Sequence, residues 1–372
     1  MGKEFYKKKE ISELFVSQAI RFFALSLVGI FIPIYLWQLN YSFIGIMWFY
    51  AVIFIFSLPA FVIGLFLVSY MGFKHTMLFS VPFTLFYVYQ LLHLEETVLN
   101  PVWLALPGAV GAAFYWAGVH ADVAKNSSRK ERGYEIALLQ SARMGVKIVA
   151  PLLGGLTIAF FGYAHLFKIV LFLLAGSMIP LLFSRDKHFG FSITRNLLFK
   201  KQNAHDSIYY FAEGIHEMAI VVLLPFFIFL VGVSVVPLGL LFSISTCFEA
   251  FLTMRVGRFL DEGKEYLRSG SVFNGILTFF MIFIRGFFSA GLMMILKMLA
   301  QPFLVTPFEK RFYDHARKLE GVFVREFWLG ASRISFFLLL AFLFFYLQSP
   351  VLVLQIGILF GAAAAFVMGG FR

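Results

Sequence analysis

The chain reads as an all-α polytopic membrane protein with twelve transmembrane helices in two six-helix bundles, and three observations carry that reading. Hydrophobic residues make up 60% of the 372 residues and charged residues only 14%, whereas a soluble domain carries about 25% charged residues. Apolar stretches recur along the chain at the ~20-residue length that crosses a bilayer. Most of the Lys and Arg fall in the N-terminal arm, at the C-terminus, or in every second connection between those stretches. Basic connections stay on the cytoplasmic face, so both termini are expected in the cytoplasm, with the chain in a prokaryotic-type inner membrane.

Taken in order, the spans are expected at 15–39, 42–68, 74–94, 101–123, 134–161 and 164–184, then at 207–231, 234–256, 269–284, 286–308, 324–347 and 350–370. The cytoplasmic connections carry Lys74; Lys125, Arg129, Lys130 and Arg132; Arg185, Lys187, Arg195, Lys200 and Lys201; Arg258, Lys264 and Arg268; and Lys310, Arg311, Arg317 and Lys318. The opposite connections read Leu39-Asn40-Tyr41, Glu95-Glu96, Phe161-Gly162-Tyr163, Gly232-Val233 and Gln348-Ser349-Pro350, and Arg285 alone breaks the alternation. The basic arm Lys3, Lys7, Lys8, Lys9 precedes an apolar stretch too long for a cleaved signal, so the first span is expected to be retained.

The net charge of +11 then belongs to loops facing anionic lipid headgroups, which are the expected partners, rather than to a nucleic-acid surface. Cys247 is the single cysteine, so an internal disulfide is excluded. No phosphate-binding Gly-x-x-x-x-Gly-Lys-Ser/Thr loop occurs, no His/Asp/Glu set has metal-ligand or nucleophile spacing, and neither a cofactor nor a catalytic activity is expected.

The longest polar connection, 185–206, lies at mid-chain and divides an N-terminal bundle (1–184) from a C-terminal bundle (207–372). Repeated bundles are common in transporters. An offset of 192 residues lays Pro33 on Pro225 and Arg21 on Glu213, and an offset of 190 lays Arg143 on Arg333. These correspondences favour six plus six.

The connection after the eighth span reads Gly257-Arg258-Phe259-Leu260-Asp261-Glu262-Gly263-Lys264. It resembles the signature loop of the major facilitator superfamily, in which Gly257, Asp261 and Gly263 take the motif positions. The first-half copy keeps Gly64, Gly72 and Lys74 but has Val68 and Ser69 where the acid and base are expected. In the fifth span, Ala150-Pro151-Leu152-Leu153-Gly154-Gly155 is similar to the Gly-Pro-x-x-Gly-Gly element of the superfamily's exporters, with Ala150 in place of the first Gly and with Pro151, Gly154 and Gly155 kept. The resemblance implies a secondary transporter and leans toward export.

Ionisable groups inside the spans are costly and need a reason. Gln140, Arg143, Lys147 and Pro151 share one face of the fifth span, with Lys147 ~19 Å from its cytoplasmic start at 1.5 Å per residue. Glu213, His216 and Glu217 share a face of the seventh. Glu249, Lys297 and Arg333 complete the set, with Arg21 in the first span and His120 and Asp122 near the inner end of the fourth. Two readings compete. Several of these groups, Arg21, Asp122, Arg255 and Arg333 above all, can snorkel to the headgroups, Lys297 can form a structural ion pair, and a buried His can simply be hydrogen-bonded. Alternatively they line a polar path, with Lys147, Glu217, His216 and Lys297 handling substrate and proton. In that case Arg21, Arg143, Glu213 and Glu249 form a cytoplasmic gate. The expected function is secondary active transport of a small organic solute by alternating access, as proton-coupled efflux by a monomer. Uptake of an anionic nutrient and a non-transporting scaffold or sensor are the alternatives.

Overall fold

The computed structural model describes residues 2–126, 144–182, 190, 191, 198, 201–315 and 319–371, which are helical almost throughout, with no strand among them. Helix α1 (Gly2–Val28) runs through a 3₁₀ turn at Gly29–Phe31 into α2 (Ile32–Gln38). Helix α3 (Phe43–Met71) is capped by the Ser42 hydroxyl, which accepts from the Gly45 N–H at 3.0 Å. A single residue, Gly72 at φ 90°, turns the chain into α4 (Phe73–Leu92), a left-handed geometry that favours glycine. Next come α5 (Pro101–Asn126), α6 (Ala150–Gly176) and the short α7 (Ile179–Leu182).

After the central connection, α8 (Lys201–Met218) continues through a π turn at Ala219–Leu223 into α9 (Leu224–Leu230). The remaining helices are α10 (Val235–Asp261), α11 (Leu267–Phe280, extended by a 3₁₀ turn at Met281–Phe283), α12 (Phe287–His315), α13 (Leu319–Leu347) and α14 (Pro350–Met368). Pro33 and Pro225, which the 192-residue offset superimposes, each open a short helix just after a non-α turn. The cause is shared: proline has no N–H for the carbonyl four residues back, so the helix relaxes there, to 3₁₀ in one case and π in the other.

Among the described residues nine helices are long and apolar enough to cross a membrane. One of them, Met144–Leu182, carries the two expected spans on either side of Gly162, whose φ of 79° and ψ of 172° break the helix. The expected third span falls on α4, which is not among the nine and whose interior holds Thr76, Ser80 and Thr84. The expected ninth falls on the shorter apolar segment Leu267–Phe283. Large apolar side chains stand outward, Phe160, Phe172 and Phe288 being 75%, 79% and 88% exposed. Such a surface belongs in lipid, and the protein is integral to a membrane.

The interior is built from two apolar clusters. One fills the end of the molecule bearing the Asn40, Gly162, Gly232 and Gln348 connections, drawing Tyr35, Phe43, Phe167, Phe226 and Phe337 from both sides of the central connection. Tyr35 packs on Tyr163 with ring centroids 4.5 Å apart, and Phe43 stacks on Phe344 at 4.7 Å. The other, with Phe73, Phe114, Phe308 and Phe312, lies toward the Gly72 and Gly263 end. The N-terminal helices α1–α7 meet the C-terminal helices α8–α14 mainly where α3 lies against α13 and α6 against α10. At the second contact a Cβ on Gly155 would come within 2.7 Å of the Val235 carbonyl oxygen, and Gly239 packs as tightly on Pro151. The Leu152 N–H there donates to the Ser243 hydroxyl at 3.1 Å.

Candidate functional site

A cavity of about 420 Å³ opens between the two sets of helices, bounded by α3, α5, α8, α12 and α13. It lies in the first half of α13 and the last half of α12, and so toward the Gly72 and Gly263 end. Its walls are apolar on the N-terminal side, with Phe54, Phe61 and Trp116, and charged on the C-terminal side. Helical spacing explains the charged wall. Glu213, His216 and Glu217 lie within one turn of α8, while Arg325, Glu326 and Arg333 lie two turns apart on α13. Gly214 brings those helices together, since a Cβ there would lie 2.9 Å from the Leu329 carbonyl oxygen.

Arg325 is the hub. Its Nε donates to Glu213 Oε2 at 3.0 Å and its Nη2 to the other Glu213 oxygen, the two-pronged geometry that suits guanidinium and carboxylate. The same Nη2 donates to Glu309 Oε1 at 2.8 Å, Nη1 lies 3.8 Å from Glu326 Oε1, and the guanidinium covers the Phe312 ring at 4.4 Å. Arg333 donates to Glu217 and sits 5.1 Å from the Phe54 ring of α3.

His120 of α5 crosses between the two sets of helices. Its Nε2 is 3.3 Å from Glu326 Oε1 and its Nδ1 is 2.8 Å from the Tyr313 hydroxyl. The wall holds four carboxylates (Glu213, Glu217, Glu309, Glu326) against two guanidiniums, with His120 beside Glu326.

Behind the wall lies a second polar set. Lys297 is fully buried and donates to Asn274 Oδ1 and, at 2.6 Å, to Gln301 Oε1. Its Nζ is 3.4 Å from His216 Nε2, and the His216 Nδ1 faces the Gly361 carbonyl at 2.9 Å.

The residues singled out from sequence divide accordingly. Glu213, His216 and Glu217 line the cavity, and Lys297 backs it through His216. Lys147 is exposed and absent from the wall, and Glu249 is half-buried in the field of Lys147 and Lys297. Arg21 is buried among α1, α4 and α5, where it donates to Thr84 Oγ1 at 2.9 Å and lies 4.2 Å from the Tyr115 ring. It does not meet Glu213, whose partner is Arg325. Arg143 lies outside the described residues.

In the signature loop, Gly257 is buried, Asp261 ends α10 with an oxygen 4.0 Å from Lys310 Nζ, and Gly263 turns the chain at φ 82°. In the Pro151 element, Gly154 fits against the Leu27 backbone of α1 and Gly155 against α10. Glu309, Arg325, Glu326 and Tyr313 were missed from sequence. The available signal was their helical spacing from Gln301 and Arg333; Glu309 and Tyr313 fall just beyond the expected end at 308, and Arg325 and Glu326 in the first turn of the span expected from 324, where charges pass as interfacial. No set of His, Cys, Asp and Glu among the described residues could hold a metal ion.

The profile described as Major Facilitator Superfamily matches residues 14–322. Among solved structures, the human organic anion transporter MFSD10 (TETRAN) superposes with a TM-score of 0.71 at 14% identity, over 97% of this chain and 99% of that one. The E. coli fucose:proton symporter FucP superposes with a TM-score of 0.66 at 10% identity, over 97% of each chain. No curated protein matches the sequence.

Proposed function

Since the chain belongs to the Major Facilitator Superfamily, we propose that it is a secondary transporter moving a small organic solute by alternating access through the cavity between its two sets of helices. The observation that carries this reading is a charged cavity walled by both sets, with an apolar cluster filling the end beyond it. Twelve spans in two six-helix bundles, 1–184 and 207–372, are the architecture this requires. The matching proline-opened turns at Pro33 and Pro225 support it. The basic loops then put the cavity on the cytoplasmic side of an inner membrane, so the conformation described here faces inward.

Efflux against proton entry is the direction we favour, on the strength of the Pro151-Gly154-Gly155 element that seats α6 on α1 and α10. Glu217 is the coupling carboxylate in this scheme. It lies on the cavity wall, its side chain is 45% exposed, and its partner is Arg333. A proton arriving on Glu217 removes the charge that holds Arg333, and a solute competing for that carboxylate does the converse. The excess of carboxylates selects a cationic or neutral solute. An anion would meet uncompensated like charge in a site of low dielectric, a repulsion that water no longer screens, so this observation weighs against anionic uptake.

The test is reconstitution in liposomes with a trapped pH dye, challenged with separate pools of cationic, neutral and anionic solutes. A cationic or neutral pool is expected to evoke proton flux in wild type, and Glu217→Gln is expected to abolish it while the protein remains folded. Proton-coupled flux of normal size in Glu217→Gln would remove the coupling assignment. A response confined to the anionic pool would remove the charge assignment.

A further inference from the structure

Lys297 is an ammonium site whose hydrogen-bond partners are all neutral, with the Glu249 carboxylate of α10 acting on it from farther off. The side chain is wholly buried on α12, where a bare ammonium is expensive. Its three acceptors are Asn274 Oδ1 of α11, Gln301 Oε1 one turn along α12, and His216 Nε2 of α8. All three are neutral dipoles, and the carboxylate that acts on the ammonium, Glu249, is not among its hydrogen-bond partners. The His216 ring is held in the required tautomer. The Gly361 carbonyl can only accept, so Nδ1 carries the hydrogen and Nε2 turns its lone pair to the lysine. An ammonium has three hydrogens, and the cage offers three acceptors.

The third acceptor is mounted on a pivot. His216 stands on the last turn of α8, just ahead of the π turn Ala219–Leu223 and of Pro225. Single π turns inside α-helices recur at functional positions, and the missing N–H of Pro225 weakens the ladder there. His216 and Gln301 both border the cavity, so Lys297 lies one side chain behind it. If α8 bends at the π turn and draws His216 away, two acceptors remain. A neutral amine has two hydrogens, which still serve Asn274 and Gln301, while its lone pair takes the direction His216 has left. The cage therefore satisfies the charged lysine with α8 in place and the neutral lysine with α8 withdrawn.

Resting on the alternating-access reading above, we propose that Lys297 is a proton-binding site of the transport cycle: it holds a proton while α8 presses His216 against it and releases that proton to the cavity when α8 bends away at the π turn. The N–H bond of the ammonium breaks, the electron pair stays on Nζ, and the proton passes to cavity water. Of the elements packed around the lysine, α8 presents His216 and α10 presents Glu249, with Lys147 beyond it. The facing groups of α11 and α14 are the uncharged Asn274 and the Gly361 backbone.

The test needs no known solute. Spin labels at Tyr70→Cys and Arg268→Cys, in a Cys247→Ser background, report the separation of α3 from α11 at the cavity end by electron–electron resonance in nanodiscs across a pH series. Wild type is expected to exchange two distance populations in one pH-dependent step. Lys297→Met should abolish the step, and Lys297→Arg should hold the acid-side population at every pH. A flat wild-type profile would overturn the proposal, as would a step of unchanged midpoint in Lys297→Met. If Lys297→Met does not fold, a step surviving in Lys297→Arg overturns it equally. Liposome flux on the same proteins separates the two readings. Solute-evoked flux together with an unchanged step in Lys297→Met rejects the lysine site alone, whereas wild type silent to every pool rejects the transport reading beneath it.

Discussion

Arg325→Met is expected to destabilise the folded protein by ~3–5 kcal/mol, the cost of breaking a buried ion pair by deleting one partner, and to abolish transport. Arg325 is the shared partner of Glu213 and Glu309 and lies near Glu326. Without it, three carboxylates from α8, α12 and α13 face one another in a largely desolvated wall. Arg325→Lys should recover only part of the loss, because an ammonium cannot make the two-pronged contact with Glu213. Adding Glu213→Gln to Arg325→Met should restore much of the stability by removing one uncompensated charge, while leaving transport absent. Thermal unfolding of the purified protein, set beside liposome flux, checks each step. An Arg325→Met protein as stable and as active as wild type would show that the hub holds nothing together.

Gly155→Val is expected to move the resting conformation. The β-carbon alone would sit 2.7 Å from the Val235 carbonyl oxygen, a backbone atom of α10 on the other set of helices. Overpacking of this kind costs ~1–3 kcal/mol, and here α6 and α10 can avoid it by separating. That separation opens the end filled by the apolar cluster, so the strain falls on the conformation in which that end is closed and is relieved in the one in which it opens. A coupling of ~1–3 kcal/mol is a roughly 5–150-fold shift in population. Gly154→Val is the control, because Gly154 packs on Leu27 of α1 within the N-terminal set. It should destabilise the protein without favouring either conformation. Distance measurements across the Asn40 and Gly232 connections would read the difference.

The polar face of α8 was legible in the sequence, because Glu213, His216 and Glu217 fall within one turn of an apolar stretch and such a group must find an interior. So was the relation of Pro33 to Pro225, since proline imposes the same backbone defect wherever it falls in a helix. On α12 and α13, Lys297 and Arg333 were legible, but Glu309, Arg325 and Glu326 were not. A hydropathy reading ends a span where charges gather, yet both helices run on, to His315 in one case and from Leu319 in the other. The charges there are tolerated because Arg325 pairs with Glu213 and Glu309 across helices, a partnership no single stretch reveals.

Lys297 shows a different limit. Its sequence position offered a structural ion pair, and Glu249 does act on it, but its hydrogen-bond partners are the neutral side chains of Asn274, Gln301 and His216, which a count of charges passes over. Lys147 shows a third. Depth along a helix can be read from residue number, but the direction a side chain faces depends on neighbours that the sequence does not name.

The central claim is that one cavity serves both sides of the membrane in turn, and its most direct test is the sidedness of a single cysteine on the cavity wall. Ser57 lines the cavity on α3, and Ser57→Cys in a Cys247→Ser background places a thiol there with little change in volume. In oriented vesicles, an impermeant maleimide should label that cysteine from the cytoplasmic side in the wild-type background and from the opposite side once Gly155→Val is added. Labelling from the same side in both backgrounds, with Gly155→Val folded, would contradict alternating access through this cavity.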